Sequence, residues 1–140
     1  MDKHEAMYEY IKKYPDTYNM LGFIFSEGEN DKTVFAPVSN ESVLKTDILG
    51  KKTYAYTFAI NVFKSFSTNI SEENLENIKA VQDFMAWIDE QEKKKNYPDF
   101  ENAHVLKIEN LQNMPDTAGY NENLRLAKYM FQCRVIYKEI

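Results

Sequence analysis

The run Thr53-Tyr54-Ala55-Tyr56-Thr57-Phe58-Ala59-Ile60-Asn61-Val62-Phe63-Lys64-Ser65-Phe66 decides how the rest of the chain is read. Tyr54, Tyr56, Phe58, Ile60 and Val62 recur at every second position, which places them on one face of an extended strand. Ala55, Thr57, Ala59 and Asn61 take the other face, where small side chains suit close packing of another element. Ala127 to Tyr137 repeats the alternation: Ala127, Tyr129, Phe131, Cys133, Val135 and Tyr137 oppose Lys128, Gln132, Arg134 and Lys138, one face buried and one wet.

Between these strands the period changes from two to 3.6. Leu75, Ile78, Val81, Phe84, Met85 and Ile88 form one apolar stripe over Glu72 to Lys95. Ser71 is the expected N-cap, Ile70 staples to Leu75, and Lys93-Lys94-Lys95 complements the negative helix end. Asn96 and Pro98 stop the helix. Trp87 sits beside the stripe, where it either widens the core or anchors a partner.

Outward from this centre, Asp2 to Tyr14 reads as a short helix with Met7, Tyr10, Ile11 and Tyr14 on one side. Met20–Phe25 and Lys32–Val38, separated by the turn-forming Glu27-Gly28-Glu29-Asn30-Asp31, predict a hairpin, with Pro37 at a strand edge or end. Residues 39–52 admit an extended arm, a further hairpin or one helical turn. His104 to Leu111 reads as a strand with Leu106 and Ile108 inward, and Gln112 to Asn123 as a polar loop. The order helix, strands, long helix, strands predicts an α+β fold: a mostly antiparallel sheet with one long and one short helix packed on it. With no repeat and no linker, residues 1–140 read as a single domain.

The chain has 140 residues, of which 44% are hydrophobic and 14% aromatic. A domain of this size buries roughly 68–70% of its unfolded surface, so it needs no staples. The net charge is −5, and of 17 basic residues only Arg125 and Arg134 are arginine. Such a chain is a poor nucleic-acid reader, because bidentate base and phosphate contacts come mainly from Arg. The lone Cys133 excludes an internal disulfide and a Cys-based zinc site. No apolar run approaches 18 residues, so no membrane partner is expected, and Met1-Asp2-Lys3-His4-Glu5 lacks a signal peptide's apolar stretch.

Catalysis finds no constellation. His4 lies in a charged turn and reads as solvated, His104 has no flanking acid, and Cys133 lies on an apolar strand face. No Asp/Glu/His set has metal-ligand spacing, and no two glycines lie close enough for a phosphate or dinucleotide loop. The expectation is therefore no enzyme, no metal and no cofactor. What stays unexplained is apolar residues with weak claims on the core: Val43, Leu44, Ile48 and Leu49 in the segment 39–52.

Longer stretches carry a resemblance. Val81-Gln82-Asp83-Phe84-Met85-Ala86-Trp87-Ile88-Asp89-Glu90-Gln91, Asn96-Tyr97-Pro98-Asp99-Phe100, Ile108-Glu109-Asn110-Leu111-Gln112-Asn113-Met114-Pro115 and Ala127-Lys128-Tyr129-Met130-Phe131-Gln132-Cys133-Arg134-Val135-Ile136-Tyr137 resemble the tail terminator proteins of long-tailed phages and contractile phage-tail-like bacteriocins from low-GC Gram-positive bacteria. The resemblance covers most of the chain and rests on packing motifs. It implies an α+β subunit of a homo-hexameric ring that caps the tail tube, and the sheath in contractile tails, stops polymerisation, and meets a neck or head-completion protein. It also implies assembly in the host cytoplasm, a place in the virion or tail-like particle, and DNA at most passing through the lumen.

Ring contacts in that family tend to involve sheet edges, the N-terminal helix and projecting hairpins. On this chain the correspondence is by element only, and the interface residues expected are Val43, Leu44, Ile48 and Leu49 in the arm, Met7 and Tyr10 in the first helix, Trp87, and Arg134 in the last strand. Two other readings stand beside it: another head–tail connector or minor capsid protein, and a small ligand-binding domain with an aromatic pocket of Tyr54, Tyr56, Phe58 and Tyr129.

Overall fold

A computed structural model describes residues 2–15, 21–23, 33–38, 42–65, 70–121 and 126–140. In chain order the elements are α1 (Lys3–Ile11), β1 (Leu21–Phe23), β2 (Thr33–Pro37), β3 (Ser42–Thr46), β4 (Lys52–Ser65), α2 (Ile70–Lys94), β5 (Ala103–Asn110), β6 (Asp116–Asn121) and β7 (Leu126–Glu139). The fold is α+β, with a mostly antiparallel sheet carrying one long and one short helix.

The two alternating runs form the spine: β4 and β7 pair antiparallel from Thr53↔Lys138 to Ser65↔Leu126. That ladder uses one edge of each strand, so all other partners share the remaining edges. On β4 the outer edge is divided between β2, opposite residues 58–62, and β3, opposite residues 52–55. On β7 it is divided between β5 and β6. β1 lies outside β2 in parallel register, Leu21↔Thr33 to Phe23↔Phe35.

That parallel pair corrects the expected first hairpin. Three ladder residues span only about 10 Å, a length that the ten-residue step from Phe23 to Thr33 can retrace to begin again in the same direction. The turn-forming Glu27–Asp31 lies outside the described residues. Pro37 closes β2, where its missing N–H interrupts no continuing ladder.

The near face of the sheet buries Tyr56, Phe58, Ile60 and Val62 of β4 with Tyr129, Phe131, Cys133, Val135 and Tyr137 of β7. On α2, Val81, Met85 and Ile88 are buried in the same core, and Phe84 meets Phe131 edge-on at 5.4 Å between centroids. Helix α1 covers the flank: Tyr14 stacks on Phe84 at 4.1 Å, and Tyr10 and Tyr14 both lie 5.6 Å from Trp87. Asp2 caps α1 by accepting the Glu5 N–H, and the Tyr10 hydroxyl donates to Asn96 O beyond the end of α2.

Several expectations are corrected. Leu75 is exposed. Six residues before Val81 at about 100° per residue places it about 120° around the helix from the stripe. Helix α2 starts at Ile70, ahead of Ser71, the position expected to precede it. Leu106 is also exposed, because β5 bulges between Val105 and Lys107; the extra residue turns Leu106 out and leaves Val105 packed on the core. Residues 116–121, expected in a loop, form β6. His4 is exposed, yet its Nδ1 sits 2.6 Å from the hydroxyl of buried Tyr56.

Candidate functional site

Residues 42–52 form the hairpin that the sequence left open, and its turn is firmly built. Gly50 N–H donates to Asp47 O, and Asp47 N–H donates to Lys51 O. The Asp47 carboxylate accepts from the N–H groups of Leu49 and Lys51, both at 2.9 Å. Gly50 adopts φ +85, the left-handed conformation that closes a turn of this length at no steric cost. Asp47 Oδ2 also reaches Lys138 Nζ at 3.2 Å, tying the tip to the end of β7. Burial alone would raise the Asp47 carboxyl, but the Lys51 and Leu49 amides and the Lys138 ammonium hold it below the ordinary carboxylate range.

Asp47 and Gly50 thus account for the turn, and the two central positions accept most residue types. They hold Ile48, 102% exposed, and Leu49, 82% exposed. Behind them all five residues of β3 are exposed, including Val43 and Leu44, and the ladder shifts register between Val43 and Lys45. Four large aliphatic side chains therefore project from a rigid support that the fold does not need them to make. Lys45, Lys51 and Lys52 flank them, exposed and with no ion pair among the described residues.

The other sequence-selected residues are not gathered at this site. Met7 and Tyr10 are buried in the hydrophobic core, which leaves no surface for a partner and corrects their assignment to an interface. Trp87 is partly buried against Tyr10, Tyr14 and Phe84, so it widens the core. Arg134 lies on the far face of the sheet in an ion pair with Glu109, which Lys107 joins at 3.0 Å.

The aromatic side chains read as a pocket are packed against their neighbours among the described residues. Tyr56, Phe58 and Tyr129 are packed into the core, and Tyr54 stacks on Tyr137 at 5.3 Å. An open polar depression of about 330 Å³ lies between α2 and the end of β5. There Asn110 Nδ2 donates to Met85 O at 2.9 Å and to Asp89 Oδ1 at 3.0 Å, while its Oδ1 lies 3.2 Å from Cys133 Sγ. These groups satisfy one another and join helix to strand. Burial, with Asp89 adding to it, pushes the Cys133 thiol well above its ordinary range, away from thiolate chemistry. Among the described residues no cluster of three or more His, Cys, Asp or Glu side chains could hold a metal ion, and no helix is long and apolar enough to cross a membrane.

Sequence reasoning missed the role of Asp47. Its signal was present: Asp at the first position and Gly at the fourth flank a two-residue apolar tip. Compared with family models and with curated proteins, the chain matches none.

Proposed function

We propose that this chain is a structural assembly subunit of the tail-terminator kind, one copy of a ring that ends a phage tail tube or tail-like particle. The single observation that carries the reading is the hairpin tip, where Ile48 and Leu49 stand in solvent on a turn held by Asp47. Fully burying a side chain of this size contributes roughly 1.5–3 kcal/mol, a gain available here only against a partner. A ring needs a patch of this kind together with a different, complementary one, because its contacts are heterologous and must close. The resemblance of residues 81–137 to tail terminators supplies the particular assembly.

The test is the double substitution Leu44→Asp with Ile48→Asp. Both side chains are exposed, so the monomer should unfold at the wild-type temperature within a few degrees, while ring formation and tail capping are lost. Unchanged assembly would overturn the reading. Binding to a portal-side protein but not to a tube protein would move the chain to the head–tail connectors.

A further inference from the structure

The hairpin is chemically distinct from the rest of the molecule. Residues 42–52 carry Lys45, Lys51 and Lys52 against Asp47, a net +2, which leaves −7 on the remainder of a chain of net −5. Its complement should be acidic, exposed and apolar at its centre. Helix α2 carries such a surface on the side turned away from the core. Glu72, Glu76, Lys79 and Asp83 follow one another at spacings of three and four along one stripe of the helix; Leu75 lies within it, three residues after Glu72 and four before Lys79, and all five are exposed. Leu75 is 62% exposed, and residues 70–83 hold Glu72, Glu73, Glu76 and Asp83 against Lys79, a net −3.

The two surfaces lie at opposite ends of the subunit. β4 leaves the hairpin at Lys52 and runs 14 residues, about 46 Å, before the chain turns toward α2. Asn77 of α2 reaches the hydroxyl of Tyr129, and Tyr129 is the register partner of Val62, which fixes the first turns of the helix over the far end of β4. The hairpin therefore cannot fold back onto this stripe within one chain.

We infer that the occupant of the α2 stripe is the hairpin of a second copy of this chain. Ile48 and Leu49 pack on Leu75, and Lys45, Lys51 and Lys52 face the acidic residues of the stripe. The contact is head-to-tail: each subunit offers its hairpin at one end and its helix at the other, so no subunit uses one patch twice. The inference rests on the ring reading and adds to it which surface receives the hairpin.

Paired cysteines test it. Cys133 is buried and does not compete for oxidation. Leu49→Cys with Leu75→Cys in one chain should give, under mild oxidant, a covalent ladder of oligomers on a non-reducing gel, far above either single variant. A ladder no stronger than that of the single variants overturns the inference, as does efficient dimer formation by Leu49→Cys alone.

A mixing experiment reads the same contact without cysteines. Leu49→Asp disables the hairpin and Leu75→Asp the helix, so each alone should stay monomeric while the mixture forms a 1:1 dimer that grows no further. No dimer on mixing overturns the docking. Failure of the larger reading is separable by native mass spectrometry: a wild-type ring without the Leu49–Leu75 crosslink leaves the ring standing and removes only this contact. A wild type that stays monomeric with and without tail tube protein removes the ring itself.

Discussion

At the level of single residues, Glu92 shows how a side chain with an ordinary sequence signature holds two elements together. It lies near the end of α2, and its carboxylate accepts from Tyr97 Oη at 2.9 Å, Lys95 Nζ at 2.8 Å and the Ile108 backbone N–H at 3.0 Å. Tyr97 Oη also approaches Leu106 O, at the β5 bulge, at 3.2 Å. The bulge leaves backbone groups without ladder partners, and the Glu92 carboxylate satisfies the Ile108 N–H. Burial opposes the charged form of Glu92, yet the donors from Lys95, Ile108 and Tyr97 outweigh it and hold the carboxyl below its ordinary range. A depressed folded value means the stabilisation is complete above the unfolded carboxylate value and is lost as pH falls through the folded one. Glu92→Gln should therefore lower stability by about 1–2 kcal/mol at neutral pH, and the difference from wild type should shrink as pH falls below the ordinary carboxylate range. Urea unfolding of both proteins across that range checks it; a pH-independent gap would assign the effect to packing. None of this could be read from the sequence, where Glu92 is one of several acids on a solvated helix.

At the level of elements, what was legible depended on whether a periodic pattern ran uninterrupted. β4 and β7 were readable because alternation persists over their whole length, and the buried part of α2 because Val81, Phe84, Met85 and Ile88 keep the helical period. Pattern failed where one residue breaks register. In β5 the alternation read from Leu106 and Ile108 assumed a flat ladder, but the bulge makes Val105 and Ile108 the inward pair. Two matched substitutions separate the alternatives. Val105→Lys should destabilise by roughly 1–2 kcal/mol by replacing a side chain packed on the core with a charge at a partly buried site, whereas Leu106→Lys should stay within about 0.5 kcal/mol. Thermal or denaturant unfolding reads both, and a regular strand would reverse their order. Pattern was also silent for β6, whose ladder to β7 shifts register between Thr117 and Tyr120 and leaves no alternation to find. The hairpin at 42–52 was left open for a related reason: its strand is exposed on every residue, so burial wrote no period into it.

At the level of the whole molecule, two electrostatic effects of different range would act on the proposed assembly. Subunits of net −5 repel one another, and six of them would bring 6 × −5 = −30 together. Against this, the +2 hairpin and the stripe, net −2 from Glu72, Glu76 and Asp83 against Lys79, attract locally if they meet as inferred. The two effects respond differently to salt. At about 0.01 M the Debye length is near 30 Å and the net repulsion reaches across a subunit; near 0.1 M it is about 10 Å, which removes most of that repulsion but spares charges in contact; at 1 M, about 3 Å, the contacts weaken too. Association should therefore strengthen from about 0.01 to 0.1 M salt and weaken again toward 1 M, with the apolar contribution of Ile48, Leu49 and Leu75 setting what survives. Replacing Lys51 and Lys52 with Gln makes the subunit net charge −7, since two positive charges are removed from −5. That variant should lose the fall at high salt and keep only the rise. Sedimentation velocity across the series distinguishes the cases: a wild-type profile that only rises with salt would mean the contact is apolar alone, and one that falls throughout would mean net repulsion is too weak to matter.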